Sequence, residues 1–198
     1  MSQVVEIAEL DQTRLAESRA ARIAEYKKRK QLYDFQTVPA AIVEEEKSKG
    51  WEFDRTLKSG IKLRRPKQHD EILENRFWSI LYLLGFEKLN IGRNFYITVT
   101  GADGKKSSQQ IDVLAADTDT VIVAECKSAE KPTKKSMEGA LSKLDSNKRN
   151  IADAIKKLLG PNSNRKIIWC MVTANIRWSD WSAPQGWSTG FVSPAVST

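Results

Sequence analysis

Histidine is nearly missing from this chain: His69 is the only one. A two-histidine phosphodiesterase, an HNH-type or paired-histidine nuclease centre and a His-rich zinc site all need more imidazoles than that. The two cysteines, Cys126 and Cys170, are too few for a disulfide framework and too far apart for a zinc knuckle. Both sit in apolar stretches and read as reduced core thiols. No apolar run approaches the roughly 20 residues that cross a bilayer, and the charged N-terminus lacks the apolar run of a signal peptide. A cytoplasmic protein with no membrane partner is therefore expected. Charge itself is missing at one place: no Asp, Glu, Lys or Arg occurs from Trp181 to Thr198. That stretch is expected to be a peripheral segment, or the end of a longer protein that has been truncated or altered.

Elsewhere charge is plentiful. The 198 residues include 32 Lys+Arg against 25 Asp+Glu, a formal net charge of +7. That balance suits a polyanionic partner, and the length suits one good core with an appendage. Three segments are expected: a charged arm and connector over residues 1–68, a main domain over 69–180, and the uncharged tail over 181–198. From Val4 to about Phe35 there is no Gly or Pro, and Ala, Glu, Arg, Lys and Leu dominate, which predicts a basic helix. Such a helix would contact a DNA backbone, dimerise, or simply lean solvated on the core. Val38-Pro39 ends it, Ala40–Lys49 reads as a short helix stopped by Gly50, and residues 51–55 and 60–66 read as extended or irregular. Lys62, Arg64, Arg65 and Lys67 form a basic cluster suited to phosphate contacts, which position a nucleic acid without reading it.

The main domain opens with a helix from about His69 to Leu84. Leu73, Phe77, Ile80, Leu81 and Leu84 lie at helical spacing, Asp70 stands where an N-cap belongs, and Gly85 ends it. Strands follow: residues 94–100 are β-branched and aromatic, and residues 110–115 and 120–127 flank the polar turn Ala116-Asp-Thr-Asp119, which predicts an antiparallel hairpin. Side chains alternate along a strand. Asp112 therefore projects on one face of the first strand, with Gln110 beside it, and Glu125 and Lys127 project together on one face of the second. Two carboxylates and a lysine at the end of an apolar hairpin suit a metal site better than a core: Mg²⁺ prefers hard oxygen ligands, and an ammonium supplies a point charge for phosphate or attacking water. Lys131, Lys134 and Lys135 follow and are expected at the mouth of the cleft. Ser136 opens a second helix, with Met137, Leu141, Leu144, Ile151, Ile155 and Leu158 apolar, and Gly160-Pro161 stops it. Ile167–Thr173 is expected to be a central strand, parallel to its predecessor through a right-handed crossover.

Asp112, Glu125, Cys126 and Lys127 resemble the Asp…(Asp/Glu)-X-Lys signature of the PD-(D/E)XK nuclease superfamily, which includes Mrr-like restriction enzymes, resolvases and repair nucleases. Glu74, on an apolar helix that runs into Leu-Gly-Phe86, is similar to the acidic residue on the opening helix of Mrr-like domains. The resemblance spans residue 69 to about 175, with Ile111 where the superfamily's name has proline. It implies an α/β restriction-endonuclease-like αβββαβ core, a mixed sheet flanked by helices, here with an N-terminal helical arm. It also implies Mg²⁺- or Mn²⁺-dependent hydrolysis of phosphodiesters. Asp112 and Glu125 would be metal ligands, Glu74 a further ligand directly or through water, and Lys127 the residue that positions the nucleophile or stabilises charge. Gln110 and Asp70 are secondary candidates. DNA is the implied substrate, with RNA also admissible. Restriction or host defence is the implied role, and a homodimer is expected because cutting both strands needs two active sites. Two other readings stand beside it: a non-catalytic nucleic-acid-binding module of the same fold, and a protein-interaction adaptor using the basic N-terminal helix.

Overall fold

A computed structural model describes residues 7–10, 14–93, 95–100, 106–160 and 164–179. The uncharged stretch Trp181–Thr198 and the Gly101–Gly104 turn lie outside the described residues. Element order is β1 (Ile7–Leu10), β2 (Leu15–Ala16), α1 (Arg19–Arg29), β3 (Tyr33–Val38), a 3-10 turn at Ala40–Ile42, α2 (Val43–Ser48), β4 (Glu52–Leu57), β5 (Gly60–Pro66), α3 (His69–Leu83), β6 (Lys88–Asn90), β7 (Phe95–Thr100), β8 (Lys106–Ile111), β9 (Val113–Ala116), β10 (Thr120–Lys135), α4 (Glu138–Leu159) and β11 (Lys166–Trp178). The architecture is α/β, a mixed sheet flanked by helices.

The central sheet has the order β11-β10-β9-β6-β2. β9 and β10 form the expected antiparallel hairpin, with Val121 opposite Ala116 and Ala124 opposite Val113, but the strand expected over 110–115 is broken at Asp112, and Gln110 and Ile111 belong to β8 in another sheet. Asp117 closes its turn: the carboxylate accepts from the amides of Asp119 (2.9 Å) and Thr120 (2.7 Å), an Asx-turn that explains why Asp stands there. β10 and β11 pair in parallel with α4 as the crossover. β11 is longer than expected and sits at the edge of this sheet rather than at its centre, because no other described strand pairs beyond it.

Strict alternation divides the hairpin between two cores. Leu114, Ala116, Val121 and Val123 face α4 through Leu144, Ile151, Ala154 and Ile155. Val113, Ala115, Ile122, Ala124 and Cys126 face α3 through Leu73, Trp78 and Leu81. Both faces of β9 and of the first half of β10 are thus covered, so these stretches read as near-continuous apolar runs. Trp78 is fully buried and donates its indole N–H to the Asn90 carbonyl (2.8 Å).

The N-terminal arm is helical only over α1, where Ser18 caps the helix by accepting from the Ala21 amide (3.1 Å). Residues 7–10 instead pair antiparallel with β7, and residues 15–16 pair with β6. Pairing partners far along the chain override local helix propensity here. Likewise β3, β5 and β4 form a three-stranded antiparallel sheet of their own. Gly60 makes its tight turn possible: φ is +145°, and a Cβ there would stand 2.6 Å from the Val38 carbonyl oxygen. The helix at Ser136 starts two residues later, at Glu138, although the Ser136 hydroxyl does accept from the Glu138 amide (3.3 Å).

Candidate active site

The site is built where β8 gives way to β9. These two strands belong to different sheets, and Asp112 occupies the bend between them. A bend leaves main-chain groups without ladder partners, and Asn90 supplies them. Its side chain accepts from the Leu114 amide (3.0 Å) and donates to the Asp112 carbonyl (3.1 Å), fully buried. The Asp112 side chain turns inward and is 7 % exposed. Its Oδ2 accepts from the Cys126 amide (2.8 Å), and its Oδ1 meets the Gln110 amide group at 3.4 Å. Across the hairpin Glu125 and Lys127 share one face of β10, and the Lys127 ammonium donates to Glu125 Oε1. α3 adds Glu74, which is 3 % exposed, and Asp70 one turn earlier.

All six of these expected residues, Asp70, Glu74, Gln110, Asp112, Glu125 and Lys127, line one polar cleft of about 420 Å³. Its electrostatics are those of crowded carboxylates. Burial, and then the charge of Glu125, push the Asp112 carboxyl up to about 7, although the Cys126 amide draws it the other way. Burial alone would lower the Lys127 pKa, but its hydrogen bond to Glu125 and the charges of Glu125 and Asp112 outweigh this and hold it raised. The Cys126 thiol is pushed well up by burial and by the same carboxylates, so it is no nucleophile.

Glu74 differs from expectation in one respect: its carboxylate is occupied. Arg93, in the loop between β6 and β7, donates Nε to Glu74 Oε2 (2.9 Å) and Nη2 to Glu74 Oε1 (2.7 Å), a bidentate fork. The same Nη2 reaches Asp70 Oδ2 at 2.8 Å. Asp70 is therefore not the helix cap, a position that Gln68 holds, but a partner of Arg93. Sequence reasoning missed Arg93, as it missed Gln109, Ser128 and Lys143, which also line the cleft. The available signal was position alone, an arginine one residue after Gly92 in a turn that returns toward the Asp112 strand.

The basic residues proposed for phosphate contact lie elsewhere. Lys62 stands over the Phe35 ring and 3.8 Å from Asp54, Arg64 over Tyr33 and 3.4 Å from Glu52, and Arg65 over Trp51 and 3.8 Å from Asp34. Lys67 is buried, donating to the Lys28 carbonyl (3.2 Å) 3.4 Å from Glu71. These cations brace the three-stranded sheet and its junction with α3. Lys131, Lys134 and Lys135 lie on the exposed far half of β10 and are not among the residues lining the cleft; Lys143 of α4 takes that place.

Among the described residues no three His, Cys, Asp or Glu side chains are grouped to hold a metal ion. With Glu74 and Asp70 engaged by Arg93, Asp112 and Glu125 remain as donors. Two carboxylates without imidazole fit Mg²⁺ or Mn²⁺, which keep several waters and take further oxygens from phosphate. No described helix is long and apolar enough to cross a membrane.

No family model matches this chain, and no curated protein does. Among solved structures, the crystal structure of protein VC1899 from Vibrio cholerae aligns with 78 % of this chain at 12 % identity and a TM-score of 0.36. The chain spans 40 % of that protein's length, a likeness that carries neither fold nor function across.

Proposed function

We propose that this chain is a divalent-metal-dependent nuclease of PD-(D/E)XK type with a restriction-endonuclease-like core, cutting DNA. The observation that supports the reading best is the meeting of Asp112, Glu125 and Lys127 in one cleft with Glu74 behind them. Asp112 and Glu125 would hold Mg²⁺ or Mn²⁺, which when bound makes a coordinated water a better nucleophile and offsets charge on the phosphate. Lys127 is kept protonated by its carboxylate neighbours, so its ammonium is ready to stabilise charge that grows on the phosphate oxygens. Asp112 must be ionised to act, and the Cys126 amide, donating to its Oδ2, favours that form and holds the carboxylate in place. The net charge of +7 favours a nucleic acid over neutral substrates. Restriction or host defence, and a homodimer that brings two clefts to a duplex, belong to the same proposal.

The test is cleavage of supercoiled plasmid, linear duplex, single-stranded DNA and RNA by wild type, Lys127→Ala and Asp112→Asn, with Mg²⁺, Mn²⁺ or EDTA. Metal-dependent cutting lost in both variants is expected. Cutting that persists in both sinks the proposal. Salt-sensitive binding with no cutting of any substrate would favour a binding module, and no binding to any polyanion would favour an adaptor.

A further inference from the structure

Four carboxylates line the cleft, yet the chemistry proposed for it uses two. The other two, Glu74 and Asp70, converge on a single guanidinium. Arg93 itself is firmly placed. Gln110, which reaches toward Asp112, donates to the Arg93 carbonyl (3.2 Å). The preceding residue, Gly92, is gripped from the N-terminal helix: its amide donates to Glu25 Oε1 (2.9 Å), and its carbonyl accepts from Arg29 Nη2 (2.8 Å). Arg29 and Glu25 are both buried and bonded to each other (2.8 Å), and Arg29 also donates to Asn75 of α3 (2.9 Å). A loop anchored on both sides gives the arginine fork little freedom to leave, and a planar fork matched to one carboxylate is the geometry in which Arg outperforms Lys.

We propose that Arg93 is a positioning residue that withholds Glu74 and Asp70 from cation binding, so that the cleft presents Asp112 and Glu125 alone to a metal ion. This inference rests on the metal site proposed above. Without the fork, Glu74 would be a buried carboxylate with no cation hydrogen-bonded to it, Arg29 acting on it only through space, bordering the same cavity as Asp112 and Glu125, and a divalent cation would be its best available partner. Oxygen-ligand sites tune cation affinity by the number of charged ligands, so a third carboxylate makes the site tighter and more dehydrated. Tight binding of the resting metal is of no use where waters and phosphate oxygens must exchange. α1 thereby becomes part of the site's construction although none of its residues lines the cleft.

The experiment is Mn²⁺ titration of the full chain without nucleic acid, followed by electron paramagnetic resonance, for wild type, Asp112→Asn, Arg93→Gln, Arg93→Lys and the double variant Glu74→Gln/Arg93→Gln, each checked for fold by circular dichroism. Arg93→Gln is expected to bind Mn²⁺ about ten-fold tighter, as suits one added charged ligand, while losing cleavage. Arg93→Lys should fall between it and wild type. The double variant leaves no orphaned buried charge, so it keeps the test sound if Arg93→Gln folds poorly, and it should lose most of the gain, because the Asp70 it still frees is half-exposed and makes the weaker ligand. Wild-type binding that needs Asp112 but is tightened by neither Arg93 variant overturns the role of Arg93 alone. So does a double variant that binds as tightly as Arg93→Gln. Binding indifferent to Asp112→Asn overturns the metal site itself.

Discussion

Replacing Asp112 by Asn should stabilise the metal-free protein, and the gain should depend on pH. Asp112 is buried beside Glu125 and has its pKa raised from 3.8 to about 7. Between those two values the folded state keeps a proton that the unfolded chain has already released. Folding stability contributed by this group is therefore full below about pH 4, declines as pH rises through 7, and is flat above, opposite to the usual aspartate. At roughly 1.4 kcal/mol per pKa unit, the ionised carboxylate costs up to about 4 kcal/mol at pH 8. Asparagine has nothing to ionise and can still accept the Cys126 amide hydrogen bond, but its own amide hydrogens meet Gln110 less well than Oδ1 does. The expected net gain is thus about 2–3 kcal/mol at pH 8 and near zero at pH 4.5. For a chain of this length that is a rise in Tm of roughly 5–10 °C. Urea denaturation in EDTA at both pH values measures it, with wild type and Asp112→Asn side by side. A variant less stable than wild type at pH 8, or a difference that ignores pH, would refute the electrostatic argument. Adding Mg²⁺ should then close the gap from the other side, because a cation that binds the folded state alone stabilises wild type by mass action and leaves the variant where it was.

Two further substitutions probe the frame of the site. Asn90→Ala leaves the Leu114 amide and the Asp112 carbonyl unpaired inside the protein, and should cost about 2–4 kcal/mol in chemical denaturation; cleavage should fall further than that loss alone explains, since the bend carrying Asp112 is freed. Arg29→Met orphans the buried Glu25 carboxylate and releases the Gly92 carbonyl, so a loss of about 3–5 kcal/mol is expected, whereas the double change Glu25→Gln/Arg29→Met should recover a large part of it.

The clustering of Asp112, Glu125 and Lys127 was legible because strand periodicity is a local property. Two apolar runs around a polar turn fix the hairpin, and its register ends with Val113 opposite Ala124, which brings Asp112, at the bend just beyond, beside Glu125 without knowledge of anything distant. What failed was whatever depended on a partner far along the chain. Residues 7–10 have helix-compatible composition, yet they pair with β7, and a ladder formed with a remote strand leaves no trace in a short window. The intramolecular partners of Lys62, Arg64 and Arg65 were hidden for the same reason: Asp54, Glu52, Asp34 and the rings of Phe35, Tyr33 and Trp51 come from β3, β4 and the residue before β4. Had β3 been read as a strand, its pairing with β5 would have put Asp34 opposite Arg65.

Arg93 is the instructive omission. In a chain with 32 Lys+Arg no single arginine announces itself, and Glu74 was read by its place on the helix as a ligand. A carboxylate that is 3 % exposed cannot stand alone in the metal-free protein: burial forces it to take a proton, a cation or a metal. An edge position on the apolar face of α3 suggests a carboxylate that escapes full burial, and the structure corrects this: Glu74 is buried, which implies a counter-charge somewhere in the chain. Only the fold could say which one, because the loop carrying Arg93 is held at Gly92 by Glu25 and Arg29, from a helix more than 60 residues earlier in the chain. The same logic limits what a motif can assign. Glu125 gives one oxygen to Lys127, whereas Arg93 takes both oxygens of Glu74, so the contribution of Glu74 to any metal chemistry passes through whatever displaces Arg93.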